Sequence, residues 1–95
     1  MKYDFAIEQH PQTIYILNQI KENQSILEFG CHSGRLSKLL INKNCNVLGF
    51  DNDDSALIEA KQKGVNAFNV NLNDINSWMS IIKNTTFDTL IIYNI

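Results

Sequence analysis

Ser25-Ile26-Leu27-Glu28-Phe29-Gly30-Cys31-His32-Ser33-Gly34-Arg35-Leu36 is the stretch that decides the fold. A short apolar run carries an acid near its end, two glycines bracket a tight turn, and an amphipathic segment starts at once. The pattern predicts a strand, a glycine-bearing loop and the first turn of a helix. Such a junction aims free backbone N–H groups and the positive end of the helix dipole into the space above the strand. In an open parallel sheet that space is the ligand crevice. Two nucleotide-binding fingerprints fail on spacing. A dinucleotide loop needs glycines where His32 and Arg35 stand. A P-loop needs Gly-Lys-Ser/Thr where the chain reads Arg35-Leu36-Ser37. What remains is acid-x-Gly-x-x-x-Gly, with a second acid, Asp51, at the end of the next strand-like run.

The composition around that stretch is that of one globular domain. The 95 residues are 44% hydrophobic and 19% charged, unlike a disordered chain. A domain this short buries a modest core, so low stability is expected. The formal net charge of −2 leaves no basic footprint for nucleic acid. No apolar run approaches the roughly 18 residues of a membrane span. Met1-Lys2-Tyr3-Asp4-Phe5 lacks the apolar core of a signal peptide. Cys31 and Cys45 have neither disulfide-framework nor metal-ligand spacing. These features predict a cytoplasmic protein with no nucleic-acid, membrane or metal partner.

Outward from the central stretch, helix and strand patterns alternate. Residues 1–10 carry no period and read as an irregular arm. Pro11 suits the first turn of a helix, with Ile14, Leu17 and Ile20 on one apolar face. Lys21 to Gln24 is a polar turn into the first strand. Leu36, Leu39, Leu40 and Ile41 form the next helical stripe, stopped near Asn42-Lys43-Asn44. Val47 to Asp51 reads as a second strand. Asn52, Asp53, Asp54 and Ser55 offer N-caps for a helix whose Ala56, Leu57 and Ala60 face the sheet, and Gly64 is a stop. Val65 to Val70 reads as a third strand. Asp74 to Lys83 is a helix with Ile75, Trp78, Met79 and Ile82 on one face. Phe87 to Tyr93 is a fourth strand, and Phe50, Trp78 and Phe87 are core candidates. The alternation predicts an α/β fold, a parallel sheet with right-handed crossovers and flanking helices.

At this point the central stretch resembles motif I of the class I S-adenosylmethionine-dependent methyltransferases, written (Asp/Glu)-x-Gly-x-Gly-x-Gly. Glu28, Gly30 and Gly34 match it, and His32 stands where the middle glycine is expected. Gly49-Phe50-Asp51 and Phe87-Asp88 extend the resemblance over about residues 25–95. Two branches look most similar. Tyr3-Asp4-Phe5 and the Ile14–Ile20 helix resemble methyltransferases of bacterial surface-polysaccharide synthesis. Gly64-Val65-Asn66 and Asn71-Leu72-Asn73-Asp74 resemble the MetW-like branch of methionine biosynthesis. The resemblance implies a Rossmann-like sheet of order 3-2-1-4, truncated after the fourth strand. Residues 1–95 would then be the N-terminal, cofactor-binding half of a methyltransferase-like domain, with an arm and helix over 1–24 and a strand–helix core over 25–95.

The implied cofactor is S-adenosyl-L-methionine. Glu28 would lie beneath it and help hold the methionine amino group; the alternative is a carboxylate capping nearby backbone N–H groups. Gly30, Cys31, His32 and Gly34 would form the loop around the methionine part. Asp51 follows Gly30 by close to the ~20 residues at which an acid reads ribose hydroxyls in nucleotide-binding folds, with Asn52 beside it. Its alternative role is to cap the following helix, which Asn52, Asp53 and Asp54 can also do. Asn71, with Leu72, stands where the family contacts the adenine amine, or is a plain turn residue. Asp74 reads as an N-terminal helix acid. His32 stacks on the ligand, turns outward, or marks a site that no longer holds the cofactor. No catalytic base with a partner is visible. The expected function is methyl transfer to a small-molecule or glycan-precursor acceptor by a longer protein, the 95-residue chain being inactive alone and a weak binder of the cofactor at most. The rival reading is a non-catalytic binding or scaffold module that pairs with another protein through the open strand Leu90–Ile95; the isolated chain is also expected to self-associate through its exposed fourth strand.

Overall fold

The computed structural model describes residues 10–92, along which helices and strands alternate. The elements are α1 (Pro11–Gln19), β1 (Ser25–Phe29), α2 (Arg35–Asn42), β2 (Asn46–Asp51), α3 (Asp54–Gln62), β3 (Asn66–Asn69), α4 (Ile75–Ile82) and β4 (Thr89–Ile92). The four strands form one parallel sheet in the order β3-β2-β1-β4, the Rossmann-like order that the resemblance implies. The expected arm lies outside the described residues except for His10. That residue caps α1, its Nδ1 accepting the Gln12 N–H at 3.3 Å.

Period-two alternation sorts the strand side chains onto two faces. On one face Ile26, Val47 and Ile91 pack with Ile20, Leu36, Leu40 and Cys45. Beside them Ala67 meets Leu57, Ala60, Val65 and Cys31. On the other face Leu27, Phe50 and Val70 pack against Trp78, Ile81 and Ile82 of α4, with Phe87 at the margin. The first face is thus covered by α1, α2 and α3, and the second by α4. That second cover stops short of β4, leaving Leu90 and Ile92 56% and 65% exposed.

Two helical faces differ from the sequence expectation. In α1 the inward residues are Thr13, Ile16, Leu17 and Ile20, while Ile14 is exposed. The interval from Thr13 to Ile20 is two helical turns, so a buried threonine sets the phase and Ile14 is rotated outward. In α4 the inward set is Trp78, Ile81 and Ile82, and Ile75 and Met79 face out. The edges of the elements differ as well. β3 is shorter than Val65–Val70, and β4 begins at Thr89 rather than Phe87. Asp74 is the N-cap of α4, accepting the Asn76 N–H, and not its first residue. The fourth-strand expectation at Tyr93 lies outside the described residues.

Phe50 is the hub of the α4 face. It is fully buried, and its ring meets Phe29 edge-on at 5.7 Å and Trp78 at 6.4 Å. Phe50→Ala is expected to cost roughly 3–5 kcal/mol, the range for emptying a buried aromatic site. That is a large part of the ~5–15 kcal/mol total of a small domain. Urea unfolding followed by tryptophan fluorescence measures it, and a loss below ~1 kcal/mol would show that α4 does not rest on this ring.

Candidate cofactor site

Because the strands are parallel, the loops after β1, β2 and β3 gather at one edge of the sheet. The first is bent by three left-handed residues, Gly30 (φ 82), His32 (φ 51) and Gly34 (φ 81). The N–H groups of Gly30 and Cys31 both donate to the Phe50 carbonyl, at 2.8 and 3.0 Å, folding the loop over the end of β2. Gly34 has no room for a side chain. A Cβ there would sit 2.9 Å from Val65 Cγ2 and 3.1 Å from Ala60 Cβ, so α2 starts hard against α3 and the head of β3. Lys63 fastens the same corner, its ammonium donating to the Ser33 carbonyl at 2.9 Å.

His32 stands in a left-handed backbone conformation, φ 51. The cost for a non-glycine residue there is ~1–2 kcal/mol. Its N–H donates to Asp51 Oδ2 at 2.8 Å. Its ring turns outward at the rim, with Nε2 4.0 Å from Asp53 Oδ2.

Glu28 lies beneath the loop, 1% exposed. The Ser37 hydroxyl, on the first turn of α2, donates to its Oε1. Burial pushes the Glu28 carboxyl up to about 7; the Ser37 hydrogen bond works against that rise, and the Asp51 charge adds to it. Burial likewise pushes the Cys31 thiol up to about 12, reinforced by the negative charges of Glu28 and Asp51. Cys31 is therefore a neutral packing residue against Gly49, where a Cβ would lie 2.8 Å from its Sγ. Ser37 was not anticipated from the sequence. Its signal is that it falls on the inward stripe between Leu36 and Leu40, where a polar side chain must find a partner.

Asp51 is held by its own loop. Oδ2 accepts from His32, and Oδ1 accepts the N–H groups of Asn52 at 2.8 Å and Asp53 at 3.1 Å. Asp53, not Asp51, caps α3 by accepting the Ala56 N–H at 3.2 Å. A carboxylate has about four acceptor positions, so the carboxylate keeps room for a further donor on Oδ2. The Val70 N–H donates to the Asp51 carbonyl at 2.9 Å, tying the end of β3 to the same place. Beyond it Asn71 turns its Oδ1 into its own loop, accepting the Asn73 N–H at 3.0 Å. Leu72 is half-buried, and its carbonyl accepts the Trp78 indole N–H at 3.4 Å. The Gly30–Gly34 loop is thus bonded to Asp51 and the end of β2, and Glu28 beneath it is tied to α2 through Ser37. Asn52 is exposed at the rim of the site, and Asn71 and Leu72 join the site only through Val70.

The donor set suits S-adenosylmethionine. Its ammonium and sulfonium charges call for carboxyl groups nearby, Asp51 as a half-buried carboxylate and Glu28 as a buried carboxyl that an adjacent cation would ionise. Its ribose hydroxyls call for an anionic acceptor, which Asp51 Oδ2 retains. The Gly34 corner keeps the loop backbone close over both.

Comparisons with known proteins give the family and the fold. A family model described as methionine biosynthesis protein MetW matches residues 10–95. No curated protein matches the chain. A TehB-like SAM-dependent methyltransferase from Corynebacterium glutamicum has a TM-score of 0.70 at 23% identity, covering 90% of this chain and 45% of its own. A SAM-dependent methyltransferase from Thiobacillus denitrificans, solved with S-adenosyl-L-homocysteine, has a TM-score of 0.65 at 13% identity, over 98% of this chain and 40% of its own. A cyclopropane-fatty-acyl-phospholipid synthase-like protein from Lactobacillus casei gives 0.62 at 21% identity, over 84% of this chain and 35% of its own. The chain spans less than half the length of each of these structures. The likeness to them is one of fold.

Glu28 makes stability depend on pH. Its folded pKa of about 7 stands above the ordinary 4.5. Its contribution is therefore fully present below pH ~4.5 and is lost as pH rises through ~7. Glu28→Gln keeps the shape and an acceptor for Ser37, and removes the titration. The variant is expected to gain on the wild type by on the order of 3 kcal/mol between pH 4.5 and pH 8. Urea midpoints across that range test this, and parallel curves would show that Glu28 ionises freely.

Proposed function

The chain belongs to the MetW family of methionine biosynthesis proteins, and from that premise we propose that it is the cofactor-holding part of an S-adenosylmethionine-dependent methyltransferase. The observation that carries this reading is the Gly30–Gly34 loop bonded to Asp51 at the carboxyl edge of the sheet, with Glu28 buried beneath it and held by Ser37. The bound cofactor supplies an electrophilic methyl on a sulfonium, open to in-line attack by an acceptor oxygen, nitrogen or carbon. The chain's own part is positioning. The loop backbone packs against the methionine portion, Glu28 meets its ammonium from below, and Asp51 accepts from the ribose. Asn52 borders the ribose side, and Asn71 and Leu72 border the adenine. In this reading the acceptor, a small molecule or glycan precursor, is oriented by residues outside this chain, so the chain alone is inactive. A cytoplasmic site of action goes with it; no helix among the described residues is long and apolar enough to cross a membrane.

A second reading is favoured by one observation. β4 is an edge strand, paired only with β1 among the described residues, and it exposes Leu90 and Ile92. Apolar edges recruit other strands, so the chain also acts as a module that self-associates through β4.

Two measurements separate the readings. In isothermal titration, S-adenosylhomocysteine is expected to bind and NAD is not. Asp51→Ala is expected to weaken binding at least tenfold, the loss of about one charge-assisted hydrogen bond. Failure of both nucleotides to bind the wild type would favour the module. In light scattering, the chain is expected to self-associate with rising concentration, and Ile92→Lys to reduce that. A wild type that stays monomeric would rule out the β4 contact.

A further inference from the structure

The Glu28–Ser37 pair has a consequence beyond holding the loop. Ser37 is completely buried on the inward side of α2, among Leu36 and Leu40. Glu28 is flanked in the sheet by Gly49 and Ile91, neither of which offers a polar side chain. Its hydroxyl partner is Ser37, on α2. The ionisable groups that bear on it are the Asp51 carboxylate from β2 and the neutral Cys31 thiol from the loop. His32, next along the loop, turns away toward Asp53. Arg35 and Lys38 of α2 are exposed. Among the described residues no cationic side chain is paired with Glu28.

We propose that Ser37 is a positioning residue that holds the buried Glu28 carboxyl ready to ionise, so that uptake of a ligand bearing an ammonium group at Glu28 drives proton release. This rests on the methyltransferase reading for the identity of the ligand. A carboxyl with one neutral hydrogen-bond donor, apolar walls and a second carboxylate nearby favours its protonated form. An ammonium group brought alongside reverses that balance. The carboxyl O–H bond breaks, its proton leaves to buffer, and carboxylate and ammonium pair. The Ser37 hydroxyl tips the same balance in the empty site, because its hydrogen bond favours the charged form. Consistent with this, the Glu28 carboxyl titrates at about 7 with Ser37 opposing the rise.

Two readouts test the proposal. The first needs no ligand. The ¹³C shift of the Glu28 carboxyl is followed against pH in the wild type, Ser37→Ala and Ser37→Thr. Ser37→Ala is expected to raise the midpoint and Ser37→Thr to restore it; a Ser37 that merely fills space would leave the midpoint unmoved, and that result overturns its positioning role. The second is calorimetry with S-adenosylhomocysteine in buffers of different ionisation enthalpy. Binding to the ionised form alone makes affinity at pH 6 about tenfold weaker than at pH 8, with net proton release that vanishes in Glu28→Gln. Equal affinity at both pH values without proton release overturns the coupling while leaving cofactor binding in place. Absence of binding at every pH overturns the methyltransferase reading and the coupling with it, and the carboxyl midpoint still decides the role of Ser37.

Discussion

One carbonyl organises the ligand edge of this sheet. Phe50 is the penultimate residue of β2, and its oxygen accepts two N–H groups, from Gly30 and Cys31. Both donors point that way only because Gly30 is left-handed. The next residue, Asp51, then reaches back to the His32 N–H through its side chain, while its own carbonyl receives Val70. Three strand ends are drawn together by backbone groups that would otherwise lie unpaired. Each such bond is worth only ~1 kcal/mol net. Their larger effect is geometric, because a buried N–H left without a partner costs more than the bond returns. The two carboxyls of the site are brought close as a result of this junction.

That junction explains why the middle glycine of the loop is replaceable. The slot requires a left-handed backbone and leaves the Cβ pointing to solvent, so His32 bears the conformational cost without a clash. Its hydrogen bond to Asp51 offsets part of the ~1–2 kcal/mol strain. Gly34 is the opposite case. There the same left-handed φ coincides with Val65 and Ala60 within contact distance, so conformation and space both demand glycine. A loop pattern read as residue names treats the two positions alike. Read as φ angles and clearances, a side chain is tolerable at one and not at the other.

The same distinction marks how far the sequence carried. Alternating strands and helices, and the placement of Glu28 and Asp51 at one edge, follow from local signals: apolar runs, turn glycines and acidic caps; the order of the sheet came from the motif resemblance. Helix phase was harder to read. α1 has nine residues and α4 eight, barely more than two turns. A single misjudged residue rotates such a stripe, as Thr13 does to Ile14. Buried polar partnerships lay further out of reach. Ser37 meets Glu28, and Asp88 accepts the Ser25 N–H across the sheet at 2.8 Å. Such pairs depend on how β1 sits against α2 and β4. Asn71 is the reverse case, since its oxygen closes its own turn, a local habit of asparagine and the turn alternative already open in the sequence.

Burial divides the molecule along β1. To one side, β2 is packed on both faces and, with β3, carries Asp51 and the Asn71 loop; to the other, β4 contributes Ile91 beside Glu28 and little else to the site. Leaving Leu90 and Ile92 uncovered forgoes up to ~1.5–3 kcal/mol for each side chain, which is large for a domain of this size. Glu28 sits on the boundary strand between those halves, flanked by Gly49 and Ile91. Its dry surroundings on the β4 side rest on the buried Ile91, so whatever steadies β4 also keeps the Glu28 carboxyl desolvated. Packing at the open edge and charge at the ligand edge are therefore coupled through one strand, although no polar group of β4 touches the site.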